Sequence, residues 1–270
     1  MSCIAPFRTA CRDGRVNSVK PSVYLILGSA GSGRRKILAD LIETGLGDDS
    51  RACVFLPASE APLSGPVFPG ARRWEWHDSS IHAPLADASG PFFFVTDGAS
   101  NPIDQIEAFK AWLDAQGAEL ARVLCVVDCR LAEQHSALFG WFEACIHFSD
   151  VALLNHREGV ANKWLSDFIG HFKNQYFPCL FEPVKDGRVK NPALILEPEA
   201  RRMSHIFDAE QDWVLTDADG EIVDEQKGAT PVSAEMFETI NLVSENLAKK
   251  IKDLFVPSDR GALMRSLIFP

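Results

Sequence analysis

The stretch Ser22-Val-Tyr-Leu-Ile-Leu27, running directly into Gly28-Ser29-Ala30-Gly31-Ser32-Gly33-Arg34-Arg35, decides how this chain is read. Its first six residues are almost continuously apolar and rich in β-formers, the pattern of a strand buried on both faces in a parallel sheet covered by helices. From Arg34 to Leu46 the residues Ile37, Leu38, Leu41, Ile42 and Leu46 recur at helical spacing, and Gly45 and Gly47 stand where a helix stops. Strand, glycine loop and helix follow one another without a gap.

The same order repeats downstream. Cys53 to Pro57 is a short strand candidate, and Pro57 to Arg73, crowded with proline, glycine and small residues, reads as a loop. Pro91 to Thr96 is a strand ending at Asp97-Gly98, and Ile103 to Gln116 places Ile106, Phe109, Trp112 and Leu113 at helical spacing. Ala121 to Val127 and Val151 to Leu154 are further buried strands, ending at Asp128 and Asn155; Ala132 to Cys145 reads as a helix between them and Gly159 to Lys173 as a helix after them. This alternation predicts βαβ units and a doubly wound, mostly parallel sheet.

Past Gln175, Tyr176 to Glu182 and Ala193 to Glu197 are candidates to close the sheet. Asp212 to Asp224 reads as a small hairpin turning at Asp219-Gly220, and Ser233 to Phe255 as a long amphipathic helix capped by Ser233. The expected organisation is a leader over 1–20, an α/β domain over 21–200, and a hairpin with a long helix over 201–270 packed on the core.

Composition bounds what such a chain does. With 270 residues, 46% of them apolar, it builds a core without staples. A net charge of -10 argues against a general nucleic-acid or anionic-membrane binder, since both partners require a basic face. The seven cysteines are scattered and form no C-x-x-C pair, which indicates reduced thiols rather than a disulfide framework or a structural zinc site. Met1 to Lys20 has no apolar signal core, and no apolar run approaches the roughly 18–20 residues that span a bilayer. A cytoplasmic location is expected.

The glycine loop fits the phosphate-binding pattern G-x-x-x-x-G-K-[S/T] at both glycines, with Arg34 and Arg35 in place of the lysine and the hydroxyl residue. Main-chain N–H groups and the positive end of the next helix hold phosphate without needing either side chain. The candidate phosphate-binding residues are therefore Gly28, Ser29, Ala30, Gly31, Ser32, Gly33, Arg34 and Arg35; no catalytic residue is identified. Arg34 keeps a positive charge on a larger, planar, forked group. Arg35 removes the oxygen that would ligate Mg²⁺. Lys36 is no substitute, since two residues on it points roughly 200° around the helix axis. The alternative is a glycine-rich turn that binds nothing.

The order of segments resembles the CobW family of P-loop GTPases, relatives of the metallochaperone-type nucleotide-binding proteins. Asp97-Gly-Ala-Ser-Asn-Pro102 stands where that family has E-T-S-G-x-x-x-P, Val123 to Asp128 where it has V-x-x-V-D, and Ser149 to Glu158 where it has A-D-x-x-x-x-N-K-x-D. Asn191-Pro192-Ala193 is similar to a later N-P-x-A segment. The resemblance spans Val23 to Leu196 and implies a P-loop NTPase-like fold, GTP or GDP as ligand, and Mg²⁺ held at Asp97. It also implies base recognition by Asn155, His156 and Glu158, with His156 replacing the lysine and Glu158 the aspartate of N-K-x-D. Read as residues alone, Asp97 is equally a turn-capping aspartate, Asp128 is structural, and Asn155 bonds backbone in a strand-to-helix turn.

The family's C-x-C-C metal segment has no counterpart, because Pro57 to Gly90 contains no cysteine. A thiolate zinc site is not expected. His77 and His82, with Asp78 between them, are zinc ligands or surface residues. Cys125, Cys129, Trp74, Trp76 and Phe92 to Phe94 read as packing, Arg72-Arg73 and Arg201-Arg202 as solvated charge, and Asp217 to Gly220 as too short for a calcium loop.

The expected function is a degenerate CobW-like nucleotide-binding protein with weak or absent hydrolysis. Its partners would be a nucleotide or phosphate anion and a protein, with neither nucleic acid nor membrane. The alternatives are a non-catalytic scaffold on the same fold, and an active GTPase or metal chaperone using substitute residues.

Overall fold

The computed structural model describes residues 20–47, 51–59, 68, 70–77, 80–83, 85 and 90–208. The leader, most of the 57–73 loop, the 212–224 hairpin and the 233–255 helix lie outside the described residues.

The chain runs β1 (Ser22–Gly28), α1 (Arg34–Gly45), β2 (Cys53–Pro57), β3 (Arg72–His77), β4 (Ser80–His82), β5 (Phe92–Val95), α2 (Pro102–Ala115) and β6 (Glu119–Asp128). It continues through α3 (Cys129–Gln134), a 3₁₀ turn (Ser136–Leu138), α4 (Phe139–His147), β7 (Val151–Asn155), α5 (Asn162–Asn174), β8 (Leu180–Pro183) and α6 (Pro192–Leu196). The strands form one sheet in the order β4-β3-β2-β5-β1-β6-β7-β8, parallel throughout except for the β3–β4 hairpin. The expected α/β, doubly wound, mostly parallel architecture is the one observed.

Side-chain alternation along β1 explains the two helical layers. Val23, Leu25 and Leu27 join Phe109 and Trp112 of α2, Phe142 of α4 and Phe172 of α5 on one face; Tyr24 and Ile26 join Ile37 and Leu41 of α1 and Ile195 of α6 on the other. The Phe92–Phe94 run is split likewise. Phe93 stacks on Tyr24 at 4.9 Å, whereas Phe94 lies 4.9 Å from Trp74 and 5.2 Å from both Phe109 and Trp112. Each buried phenylalanine contributes about 1.5–3 kcal/mol of transfer free energy.

Several expectations are corrected. The segment read as loop up to Arg73 becomes strand at Arg72, because Trp74 and Ile81 alternate inward while Glu75, His77 and His82 face out. The single helix expected over 132–145 is broken at His135. Asp128 starts α3 early by accepting from the Leu131 N–H at 3.0 Å. Residues 193–197 do not add a strand: Asn191 accepts from the Leu194 N–H at 3.3 Å and Pro192 occupies the first helical position, so α6 forms instead.

Arg202 is not solvated charge. Its side chain is 7% exposed and its Nη1 lies 3.2 Å from the fully buried carboxylate of Asp150. On the opposite face Arg122, also fully buried, donates from Nη1 to the carbonyls of Leu194 and Ile195, and the Tyr24 hydroxyl donates to the Leu196 carbonyl at 2.6 Å.

Cys125, Cys129, Cys145 and Cys179 are buried free thiols, as a packing role requires. Burial, reinforced by Asp128, pushes Cys129 up to about 12 and keeps it protonated. Among the described residues no helix is long and apolar enough to cross a membrane.

His147 packs on Phe148 and Phe177, and its Nδ1 has no hydrogen-bond partner among the described residues. Burial lowers its pKa below 6.5, with Glu143 opposing and His205 assisting. The unfolded chain thus takes up this proton first as pH falls, so the contribution of neutral His147 is intact above pH ~6.5 and declines below it. Urea midpoints measured from pH 7.5 to 5.5 are expected to fall more steeply for the natural chain than for His147→Gln; equal slopes would refute this.

Candidate functional site

The glycine loop leaves the C-terminal end of β1, between β5 and β6, where open α/β sheets bind ligands. Gly28 has φ +130°, and a Cβ there would lie 2.5 Å from the Val126 carbonyl oxygen, so only glycine lets the strand end pass β6. Gly31 and Gly33 have φ +80° and +89°, and Gly33 stands at the N-cap of α1. The Ser32 N–H returns to the Ser29 carbonyl at 3.2 Å. Ser29 and Ser32 are fully buried, and neither hydroxyl has a hydrogen-bond partner among the described residues. The first N–H groups of α1 have no acceptors within the helix, and no acidic side chain occupies its first turn.

Asn155, at the end of β7, is buried and donates from Nδ2 to the Ser32 carbonyl at 2.8 Å. A Cβ on Gly33 would come within 2.5 Å of that amide nitrogen and 3.8 Å of His156 Nε2. The structure thus brings Asn155 and His156 to the loop. His156, at φ 50°, pairs its Nδ1 with Asp128 Oδ2 at 2.8 Å, and Asp128 is the structural residue anticipated. Glu158 is exposed, and its carbonyl accepts from Arg130 at 3.2 Å.

Arg34 was expected to lend its charge to phosphate. Its side chain instead turns inward, 4% exposed, with Nη1 donating to the Thr96 carbonyl at 2.5 Å. Burial lowers its pKa to about 10 against the opposing pull of Asp97, so it remains charged at neutral pH. Arg35 is half-buried, and its pKa is lowered by burial and then by the charge of Arg73 on β3.

Asp97 shapes a turn. Its Oδ1 accepts from the Ala99 N–H at 2.9 Å and its Oδ2 from the Ser100 hydroxyl at 3.0 Å. The buried Gln105 amide holds its backbone on both sides, at 2.7 and 2.8 Å. That turn carries Gly98, whose carbonyl accepts from the Ala30 N–H at 3.1 Å.

A resident Mg²⁺ does not fit this donor set. Arg35 offers no oxygen, both Asp97 oxygens hold the turn, and the Arg34 charge lies beside them. Among the described residues no group of three or more side chains could hold a metal. His77 and His82 lie 5.7 Å apart on the outer face of the β3–β4 hairpin, with His77 bonded to Glu75 at 3.0 Å.

Sequence reasoning missed Arg73, Thr96, Gly98 and Gln105. The Asp97-Gly98 pair was legible as a strand end, but its contact with Ala30 joins residues 68 positions apart in the chain (98 minus 30) and has no local signature.

No family model matches the chain, and no curated protein is similar to it by sequence. Among solved structures it is similar to the Zn(II)-bound YjiA GTPase of E. coli, at 13% identity and a TM-score of 0.45 over 87% of this chain and 79% of that one. A second is a Zn(II)-bound triple mutant of YjiA GTPase, at 14% identity and a TM-score of 0.40 over 65% of this chain; this chain spans 63% of its length. Fold and site by themselves define a mostly parallel α/β protein with a strand–glycine loop–helix unit at its central strand.

Proposed function

We propose that this chain is a degenerate, CobW-like P-loop protein that binds a guanine nucleotide, or another phosphate ligand, weakly and without Mg²⁺, and turns it over slowly if at all. The observation that supports this reading is the Asn155–Ser32 hydrogen bond, which ties the 155–158 turn to the glycine loop. In this reading loop N–H groups between Ser29 and Arg35 and the N-terminus of α1 would hold the phosphates, and Asn155, His156 and Glu158 would face the base. Phosphoryl transfer depends on metal and positioned cations to stabilise the spreading charge; with Arg34 turned inward and Arg35 in place of a hydroxyl residue, slow hydrolysis is the expectation.

Calorimetry with GTP, GDP and ATP, each with and without Mg²⁺, tests the reading. Heat of binding that is indifferent to Mg²⁺ and lost in Gly33→Asp is expected; absence of heat for every nucleotide at millimolar concentration would sink it. A second reading, a scaffold that retains the fold and has lost the ligand, draws on the inward Arg34. It requires Gly33→Asp to leave the binding of a protein partner unchanged.

A further inference from the structure

We infer that the loop selects a nucleoside diphosphate and excludes the triphosphate; this rests on the nucleotide-site reading above. The direction of the ligand follows from the sheet order. A base held by the 155–158 turn lies at the β7 end, the phosphates cross the loop above β1, and β5 is the next strand on the far side, so a third phosphate extends toward β5.

That side is closed. The Ala30 N–H is already bonded to the Gly98 carbonyl at 3.1 Å. Even a single carbon added to Gly98 would lie 2.1 Å from Ala30 N, 2.5 Å from the Ser29 carbonyl carbon and 2.7 Å from Arg34 Nη2. The turn and the loop are therefore in direct contact, with no room for a group between them. Arg34, at the position whose cation ordinarily meets the terminal phosphates, is bonded to Thr96 instead. Asp97 carries a carboxylate on the same turn, its oxygens bonded to Ala99 and Ser100, so a third phosphate brought to that turn would meet a like charge.

The loop is open at Gly31, where nothing lies within 4 Å of an added Cβ, whereas Gly33 is in tight contact with Asn155 of the 155–158 turn. The hydroxyls of Ser29 and Ser32 are polar groups that the fold leaves unsatisfied. Two phosphates are met there by main-chain donors.

Calorimetry of the full chain in EDTA with GDP and GTP tests the inference. GDP is expected to bind at least ~tenfold tighter than GTP. Equal affinity, or tighter GTP, overturns the selectivity and leaves the nucleotide site standing, whereas no heat with either overturns both. Asp97→Asn keeps an oxygen able to accept from Ala99 and removes the charge, so the GDP-to-GTP preference is expected to shrink at least ~threefold. An unchanged preference would show that Asp97 does not face a third phosphate and would refute the proposed direction of the ligand.

Discussion

Asp150→Ala is expected to lower the unfolding free energy in urea by about 3–5 kcal/mol. Asp150 is fully buried; its Oδ2 accepts from the Val123 N–H at 2.7 Å and its Oδ1 from the Arg201 N–H at 2.6 Å, while Arg202 Nη1 reaches both oxygens at 3.2 and 3.3 Å. Alanine strands two main-chain donors and leaves the Arg202 guanidinium, which stacks over Phe207 at 5.5 Å, with Asp208 at 3.2 Å as its remaining carboxylate. Because the partners share one network, Asp150→Ala and Arg202→Ala are expected to be non-additive by about 1 kcal/mol or more in a double-mutant cycle. A loss below about 1 kcal/mol in Asp150→Ala would mean that water enters the vacated space and satisfies these donors.

The second large effect is on binding. Arg34→Lys combined with Arg35→Ser is expected to convert Mg²⁺-indifferent binding into Mg²⁺-dependent binding, with GTP at least ~tenfold tighter in Mg²⁺ than in EDTA. Lysine is shorter and lacks the fork that grips the Thr96 carbonyl, so the end of β5 is released from the loop. The serine returns a hydroxyl to the metal. Titrations of natural and double-variant chains under both conditions decide this. Should the double variant remain indifferent to Mg²⁺, the Gly98 contact rather than the arginine pair would be the barrier.

The parallel layers were legible because β1, β5, β6 and β7 are buried on both faces, so their apolar runs need no partner to be recognised. The β3–β4 hairpin was missed because Arg72 and Arg73 open it and only Trp74 is buried within β3, a pattern that looks polar to a reading by composition. Asn155 was found through its place at a strand end. The direction of Arg34 was not legible: a long side chain next to a glycine can turn outward to a ligand or inward to the protein, and the carbonyl that settles it is 62 residues away. Arg202 escaped for the same reason, its partner Asp150 lying 52 positions earlier.

The clasp on α6 bears on how the domain comes apart. Tyr24 and the Leu196 carbonyl it binds are 172 residues apart, and Arg122 reaches α6 across 72 and 73 residues. Opening the last helix therefore unlocks side chains of two central strands, so the beginning and end of the described core belong to one cooperative unit. Amide hydrogen exchange along β1, β6 and α6 would then share a single high opening free energy, and nascent chains lacking residues 192–196 could not complete that unit.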